Sequence, residues 1–139
     1  MCAEILGKSD LKVLLLEKND KFGEKVCAGG LTRKDMKLLN IPDNVVEHKI
    51  TKTAVHSRRR KSSTNAPEAF VFTVNRITFG TWQRNRLKNT GMEVMTNAKV
   101  TKVDADKIVV NNSDSYGYKY LVGADGYSSV VRKFLRKKD

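Results

Sequence analysis

One run of apolar residues near the beginning of the chain constrains the fold most. Residues 11–16 are Leu-Lys-Val-Leu-Leu-Leu, and the run ends at the acidic Glu17. A nearly continuous apolar run of this length is typical of a strand covered on both faces, as in a parallel sheet. The run therefore predicts a mixed α/β domain with a parallel strand near its beginning.

Periodicity and turn residues divide the rest of the chain into short elements. Capping residues and helical spacing predict helices at residues 1–6, 32–40, 76–90 and from 128 onwards. Runs rich in β-branched and aromatic residues predict strands at residues 45–56, 68–75, 93–96, 98–103, 107–111 and 116–122. The polar residues 57–67 predict the long basic tip of a hairpin. Gly7 is expected to stop the first helix, and Gly91 to form a left-handed cap.

Two of these helices carry an apolar side that predicts where they pack. Phe79 and Trp82 fall on one side of the helix at residues 76–90. The last helix has an apolar stripe at helical spacing, formed by Val130, Val131, Phe134 and Leu135. Both faces are expected to lie against a core.

The size and composition indicate an ordinary globular domain. The 139 residues are 40% hydrophobic and 30% charged, and the longest unbroken apolar run is far too short to cross a bilayer. The first residues lack the basic and apolar regions of a secretory signal. Two cysteines make no disulfide framework, so reduced thiols in a cytoplasmic protein are expected.

The charge balance is strongly basic. Lys and Arg number 27 against 15 Asp and Glu, which gives a net charge of +12. Such a field attracts phosphates, nucleic acid or an anionic membrane surface, but scattered cations also simply solubilise a protein, and both interpretations stay open. The densest runs are residues 58–61, in a predicted loop, and residues 136–138, at a predicted frayed end. No aromatic residue interleaves with either run, so nucleic acid is not an expected partner.

Glu17 is the first residue that the pattern connects with chemistry. In dinucleotide-binding α/β folds an acid at the end of the second strand accepts hydrogen bonds from a ribose, because its carboxylate faces the crevice there. Glu17 ends an apolar strand and matches that place. Since many buried strands end in a charged residue where they reach solvent, the structural interpretation stays open beside the functional one.

A glycine-rich segment follows at residues 23–31, Gly-Glu-Lys-Val-Cys-Ala-Gly-Gly-Leu. Adjacent glycines let a backbone approach a flat or phosphorylated ligand and expose N–H groups to it, although an ordinary turn has the same composition. Cys27 is a nucleophilic or redox thiol or, by default, a packed one. No Cys-x-x-Cys pair or nearby His activates it.

A third segment is Gly-Ala-Asp-Gly at residues 123–126, between a predicted strand and a helix that begins with serines. Helix N-termini favour anions, and the Asp125 carboxylate is suited to hydrogen bonds from a polyol or a ring nitrogen. The alternative is an Asp/Ser helix cap in a glycine-rich turn. The segment alone does not decide between them.

The order and spacing of these segments resemble one family. The chain has Glu-Lys after the apolar strand, Gly-x-Lys-x-Cys-x-Gly-Gly-Leu, Val-Asn-Arg opening a helix with Phe-x-x-Trp, and Leu-Val-Gly-Ala-Asp-Gly-x-x-Ser-x-Val-Arg. This order is similar to the FAD-dependent reductases and monooxygenases of the p-hydroxybenzoate hydroxylase type. The Cys-x-Gly-Gly-Leu segment resembles the geranylgeranyl reductase branch, which saturates isoprenoid double bonds. The resemblance covers nearly the whole chain.

The resemblance implies a fold and an activity. The fold is a partial FAD/NAD(P)-binding Rossmann-like α/β domain over residues 1–139, with an inserted antiparallel β-hairpin and a small β-sheet. The activity is hydride transfer through FAD to an isoprenoid lipid, with NAD(P)H or another reductant as the electron donor. Peripheral contact with an anionic membrane suits that substrate. No residue of the chain stands out as a protein acid or base.

The resemblance also assigns roles near the adenosine and the flavin. It implies that Glu17 binds the ribose of the FAD adenosine, with Lys18 beside it. It also implies that the flavin side of the cofactor path is lined by Cys27, Ala28, Gly29 and Gly30. Arg33 follows these residues.

The later part of the chain matches further cofactor positions. Arg76 corresponds to the family arginine that approaches the cofactor phosphates, a task suited to the paired hydrogen bonds of a guanidinium. Val100 matches the position whose backbone meets the adenine. Asp125 and Gly126 match the motif near the pyrophosphate and the nicotinamide-cofactor approach. Ser129 and Arg132 are then mainly structural.

The chain departs from the family pattern at its ends and at two internal positions. The family begins with a strand and a Gly-x-Gly-x-x-Gly loop that holds the pyrophosphate, whereas this chain starts inside the helix after that loop. A later Gly-Asp segment and the substrate-binding sheet are expected beyond residue 139. We therefore expect a domain cut short at both ends, inactive by itself, with residues 11–16 on an exposed edge. Gly80 and Gln83 stand where the family tends to carry an acid and an apolar residue after the helix arginine.

Two other functions fit parts of the pattern. One is an aromatic-ring monooxygenase of the same superfamily, against which the Cys27 segment argues mildly. The other is a chain that binds no flavin and survives as a basic interaction module or as a gene-model remnant. The absence of the glycine-rich loop favours the second alternative, since that loop supplies much of the phosphate binding.

Overall fold

The computed structural model describes residues 1–136, which form two compact units. The first unit is Met1–Lys12 with Lys21–Gly91, and the second is Val13–Asp20 with the described residues from Met92 onwards. Of the basic run at residues 136–138, Lys137 and Lys138 lie outside the described residues. Helices and several small sheets alternate along the chain, so the predicted α/β class is confirmed.

The elements are short. The helices are α1 (Cys2–Leu6), α2 (Arg33–Leu39), α3 (Arg76–Leu87) and α4 (Val130–Leu135), with a 3-10 turn at Asp43–Val45. The strands are β1 (Leu14–Leu16), β2 (Gly30–Thr32), β3 (His48–Ile50), β4 (Lys52–His56), β5 (Lys61–Asn65), β6 (Val71–Thr73), β7 (Glu93–Met95), β8 (Val100–Val103), β9 (Lys107–Val110) and β10 (Asp114–Gly117).

The first unit contains a three-stranded antiparallel sheet in the order β2-β6-β3. The hydroxyl of Thr32 accepts a hydrogen bond from the Asp35 N–H, and the Asp35 carboxylate accepts one from the Thr32 N–H, so a capping box begins α2. The Asp35 carboxylate also accepts a hydrogen bond from the Thr32 hydroxyl at 2.7 Å, and this bond, with the one from the Thr32 N–H, lowers the pKa of Asp35. Asn40 ends α2 in the left-handed conformation. The predicted helix from Thr32 to Asn40 is confirmed.

A buried cluster holds the first unit together. Its buried members are Ile41, Val45, Val74 and Phe79, and the partly buried residues packed on them are Leu31, Met36, Leu39 and Trp82. The Phe79 and Trp82 rings stack with their centroids 5.5 Å apart, as their helical spacing predicts. The packing of α2 and α3 on the sheet therefore follows from their apolar sides.

Arg86 connects the helices of the first unit. One of its nitrogens donates to the Leu39 carbonyl at the end of α2, and another lies 2.8 Å from a Glu4 carboxylate oxygen on α1. Its guanidinium also lies 4.9 Å from the centroid of the Trp82 ring. The hydrogen bond from Arg86 is the main reason that the pKa of Glu4 is lowered.

The ribbon formed by β4 and β5 corrects one prediction. Residues 57–67 were expected to be a long tip, but Lys61–Asn65 pair with Lys52–His56 and leave residues 57–60 as the turn. The Ser57 N–H donates to the Arg60 carbonyl at 2.8 Å and closes this turn. Both strands are exposed along their whole length, and a ribbon that buries no face needs no apolar residues. The polar composition of residues 61–65 therefore did not exclude a strand.

The second unit contains a parallel pair and an antiparallel sheet. β1 and β7 run parallel, with Leu14 opposite Glu93 and Leu16 opposite Met95, so the predicted parallel strand is confirmed. Within residues 1–136, β1 pairs with β7 alone and its other edge is open, as expected. The sheet β10-β9-β8 covers a buried cluster of Ala98, Val103, Ile108 and Val110.

Three smaller expectations were wrong. Gly91 does not cap α3 in a left-handed conformation, because the helix ends at Leu87 and Lys88 is a right-handed C-cap. The strand expected at residues 116–122 is the shorter β10, since the ladder with β9 ends at Gly117 and residues 118–129 pair with no described strand. In α4, Val130, Val131 and Phe134 pack on the core, but Leu135 is 59% exposed.

Within residues 1–136, no helix has the length and hydropathy needed to span a bilayer. The same part of the chain has no group of His, Cys, Asp and Glu suited to a metal ion.

Candidate functional site

Arg76 is the candidate residue with the most informative surroundings. It occupies the first turn of α3, which Asn75 caps by accepting hydrogen bonds from the N–H groups of Ile77 and Thr78 at 2.9 and 3.2 Å. The Nε of Arg76 is buried and has no hydrogen-bond partner among the described residues, and its guanidinium lies 5.8 Å from the Phe79 ring centroid. A buried donor without a partner costs about 1–3 kcal/mol, so an acceptor at this position is chemically missing.

Thr73 is a residue that the sequence pattern did not single out. Its hydroxyl is buried and has no partner among the described residues, and Thr73 lies opposite Gly30 in the pairing of β6 with β2. Thr73 alternates with Phe72 and Val74 along its strand, so it faces the other side of the sheet from them. The sequence signal that could have identified Thr73 is a polar residue between Phe72 and Val74 in an otherwise apolar strand.

Two glycines bring the backbone of α3 against the loop that precedes the Cys27 segment. Gly23 has φ +93°, and a Cβ atom there would lie 2.0 Å from the Arg76 carbonyl oxygen. A Cβ atom on Gly80 would lie 2.2 Å from the Phe22 carbonyl oxygen. The departure from the family pattern at Gly80 therefore has a packing reason, because any side chain at that position meets backbone.

The Cys27 segment divides into exposed and buried residues. Cys27, Ala28 and Gly30 are exposed, so the default interpretation of Cys27 as a packed thiol is wrong. The Gly29 N–H lies 3.5 Å from the Cys27 sulfur. Gly29 is buried with φ +69°, and its carbonyl accepts a hydrogen bond from the Val74 N–H at 3.1 Å. The segment is thus a glycine-dependent turn whose outer residues are accessible to a ligand.

The Arg33 side chain forms a hydrogen bond and an ion pair within the first unit. Its guanidinium donates to the Ala69 carbonyl at 2.7 Å and lies 2.8 Å from a Glu68 carboxylate oxygen. These contacts join the start of α2 to the chain before β6. They give Arg33 a structural task beside the predicted one.

In the second unit Glu17 lies at the end of the parallel pair. Its backbone N–H donates to Met95, its carbonyl accepts from Ala98, and its carboxylate accepts from the Asn19 N–H, each at 2.9 Å. The half-buried carboxylate therefore fixes the turn after β1. Lys18 beside it is exposed.

Val100 begins β8 and stands opposite Val110 of β9. The register shifts between Val100 and Lys102, which marks a bulge after Val100. Its side chain packs against the buried cluster of the second unit. The backbone role that the resemblance implies for Val100 stays a prediction.

Asp125 lies shortly before α4 and caps its first N–H groups. Its carboxylate accepts hydrogen bonds from the N–H groups of Val130 and Val131 at 2.7 and 3.3 Å, while the Ser129 hydroxyl accepts from the Arg132 N–H at 2.9 Å. Of the two interpretations that the sequence left open, the helix cap is observed. Gly126 is exposed, with φ +75° and open space around it.

The pKa of Asp125 is lowered. Partial desolvation raises it, but hydrogen bonds from the Ser129 hydroxyl and from the N–H groups of Val131 and Val130 together outweigh that effect. A lowered pKa stabilises the fold above the unfolded-state value of about 3.9, and this stabilisation is lost as the pH falls through the folded-state pKa.

We therefore expect Asp125→Asn to make unfolding less sensitive to acid. Urea unfolding at neutral pH and at successive values below about pH 4 should show wild type losing more stability than the variant, because the variant has no carboxylate to protonate at this position. Asp114→Asn is the matched control, since this exposed residue accepts no side-chain hydrogen bond from a helix start. Equal pH dependence of Asp125→Asn and wild type would contradict the cap.

The fold is that of part of a Rossmann-like α/β domain, and solved structures share it. A geranylgeranyl bacteriochlorophyll reductase-like protein from Thermoplasma acidophilum matches 79% of this chain and 32% of its own, with a TM-score of 0.65 and 17% identity. The Pseudomonas aeruginosa protein pqsL, a probable FAD-dependent monooxygenase, matches 99% of this chain and 42% of its own, with a TM-score of 0.70 and 15% identity. At these identities the likeness establishes the fold alone.

Sequence comparison adds one relative. No family model matches the chain. An uncharacterized protein of Methanosarcina barkeri is 26% identical over 136 residues, which are 94% of this chain and 35% of that protein. The chain therefore spans about a third of the length of this relative and of the Thermoplasma structure.

Proposed function

We propose that this chain is part of the FAD-binding domain of a flavin-dependent oxidoreductase. The observation that carries the proposal is the buried, unpartnered Nε of Arg76 in the first turn of α3. An anionic phosphate group supplies the acceptor that this donor lacks, and a helix N-terminus adds a favourable dipole. The residues present therefore fit a cofactor that carries phosphates, within a fold that FAD-dependent proteins share.

The chain's own residues bind and orient in this proposal. FAD, when bound, supplies the acceptance and donation of a hydride. Arg76 holds phosphate oxygens through its guanidinium, and the Thr73 hydroxyl is a second hydrogen-bonding group for the ligand in the same unit. The exposed backbone of Gly30 permits a close approach of the cofactor. The ribose role that the resemblance implies for Glu17 stays a separate prediction.

For the substrate we propose an isoprenoid lipid whose double bonds are reduced. This finer proposal is supported by the Cys-x-Gly-Gly-Leu segment and by the likeness to the Thermoplasma protein. A second candidate is an FAD-dependent monooxygenase, which the coverage of 99% of this chain by pqsL favours. Protein purified from its native cells separates them: geranylgeranyl lipid reduced without oxygen supports the first, and oxygen-dependent hydroxylation of an aromatic compound supports the second.

Replacing Arg76 tests the proposal at its strongest point. We expect Arg76→Met to weaken FAD binding about 100-fold, since a hydrogen bond to a charged group contributes about 1.5–3 kcal/mol. The free energy of unfolding without FAD should stay equal or rise, because the variant removes a buried donor that has no partner. Titration of flavin fluorescence and urea unfolding measure the two quantities.

Arg84→Met is the matched control, because Arg84 is an exposed residue on the same helix. It should leave FAD affinity within about twofold of wild type. A wild-type chain that takes up no FAD at all contradicts the proposal for this chain. Equal losses of affinity in the two variants contradict the assignment to Arg76.

A further inference from the structure

The ribbon of β4 and β5 carries four consecutive cationic residues, Arg58 to Lys61. It follows β3 with only Thr51 between them, and the Ala66 N–H donates to the Thr51 carbonyl at 2.8 Å to close its base. Every residue from 51 to 65 is exposed, so neither face of the ribbon is buried. At about 3.3 Å per residue, five-residue strands place the turn roughly 15 Å from this base.

The charges of the ribbon are concentrated at its tip. Arg58, Arg59, Arg60 and Lys61 are consecutive, and no acidic residue occurs between Glu47 and Glu68. None of these four side chains forms an ion pair or a hydrogen bond within the described residues. Ser57 forms the turn through backbone atoms of Arg60, accepting from its N–H at 3.1 Å and donating to its carbonyl at 3.2 Å. The four cationic side chains are therefore not needed for the fold and remain available to a partner.

We propose that the tip of this ribbon, residues 58–61, docks the protein onto the surface of a bilayer that contains anionic phospholipids. Four cations at the end of a narrow ribbon can meet a plane of phosphate headgroups together, while the rest of the unit stays in water. Each Lys or Arg near such a surface strengthens binding about fivefold, so a cluster of four suffices for reversible attachment. The inference rests on the charge and exposure of the ribbon and does not depend on FAD binding.

The distribution of charge favours a membrane over nucleic acid. A ribbon that lies in a nucleic-acid groove needs phosphate contacts along its length, but Thr53, Val55, Ser62 and Thr64 make one face uncharged. Apart from His56, only Lys52 adds a basic group on the strands before the tip. No aromatic residue is present between residues 51 and 65 to stack on bases. Charges at one end match a flat surface better than a groove.

Vesicle binding by the full chain tests the inference. The probes are vesicles of equal parts phosphatidylglycerol and phosphatidylcholine, and vesicles of phosphatidylcholine alone. At about 0.1 M salt, where the Debye length is about 10 Å, the chain should cosediment with the anionic vesicles and not with the neutral ones. Neutralising the tip in R58Q/R59Q/R60Q/K61Q should weaken that binding roughly 600-fold, because four factors of about five multiply. Unfolding by urea should be nearly unchanged, because the removed side chains form no hydrogen bond or ion pair among the described residues.

The matched control removes the same number of charges from exposed lysines elsewhere, in K88Q/K99Q/K107Q/K133Q. It should weaken vesicle binding by less than about tenfold, since only the long-range field changes. A graded variant, R58Q/R59Q, should lie between wild type and the fourfold tip variant. Equal losses in the tip and control variants overturn the proposal. Tighter binding to a duplex oligonucleotide than to anionic vesicles, lost in the tip variant, also overturns it and assigns the ribbon to nucleic acid.

Discussion

Replacing Gly29 by alanine is expected to lower the free energy of unfolding of the first unit by about 4 kcal/mol. The backbone of Gly29 has φ +69°, a conformation that costs a residue with a side chain about 1–2 kcal/mol. The added Cβ would also lie 2.2 Å from the Val74 carbonyl oxygen, and Val74 is among the most buried residues of the core. Overpacking of this kind costs about 1–3 kcal/mol or more, because the backbone must move.

Gly30 provides the control one residue away. A Cβ there meets nothing closer than 3.9 Å, and its φ is not in the left-handed region. Gly30→Ala should therefore leave stability within about 1 kcal/mol of wild type. The fluorescence of Trp82, the single tryptophan, reports unfolding of the first unit during a urea titration. If the two variants unfold at the same urea concentration, Gly29 does not have the positive φ and the close approach to the Val74 carbonyl on which the prediction depends.

Gly80→Ala should destabilise the protein although the position is inside a helix. In an open helix this change raises stability by about 1 kcal/mol, because alanine is the better helix former. Here the new Cβ would lie 2.2 Å from the carbonyl oxygen and 2.4 Å from the carbonyl carbon of Phe22. The cost of moving that loop exceeds the gain, so we expect a net loss of about 2–3 kcal/mol.

Gly91→Ala separates this packing effect from the ordinary preference for alanine. Gly91 has open space around it and no positive φ, so its substitution should change stability by no more than about 0.5 kcal/mol. Urea unfolding of both variants measures the difference. An increase in stability for Gly80→Ala would show that α3 does not approach the Phe22–Gly23 backbone as closely as described.

Two glycines, Gly23 and Gly80, bear on the proposed function because they allow the close approach of the Phe22–Gly23 backbone to the helix that carries Arg76. Gly23 places its backbone against the Arg76 carbonyl, and Gly80 lies one helical turn further along α3. The resemblance to FAD-dependent reductases predicts that the glycine-rich segment lies along the cofactor. The structure gives part of that segment a packing task, since Gly29 is buried against Val74 while Gly30 stays open to a ligand.

Several features followed from local rules alone. Thr32 and Asp35 form a capping box wherever a helix begins there, and the spacing of Phe79 and Trp82 puts both rings on one side of a helix. The parallel strand was predicted because an unbroken apolar run is stable only when both faces are covered. Each of these features is recognised from residues that are close together in the sequence.

Other features depend on partners distant in the sequence. The β4–β5 ribbon was placed wrongly because exposed strands carry no alternation of apolar and polar residues. The side chain of Asp125 had two interpretations until its distances to the N–H groups of Val130 and Val131 chose the helix cap. The exposure of Cys27 likewise depends on what surrounds it, which composition does not describe.

The apolar run that ends at Glu17 and the helix of Arg76 show which features the sequence determines and which the tertiary structure decides. By itself the sequence predicted a parallel strand within residues 11–16, observed as the half-buried β1, and predicted that Arg76 opens a helix, because periodicity and capping are local properties. Only the tertiary structure decided that β7 is the strand's partner, that Glu17 fixes the following turn, and that the Nε of Arg76 is buried without an acceptor. Burial and hydrogen-bond satisfaction arise from groups that are far apart in the chain and meet only in the fold.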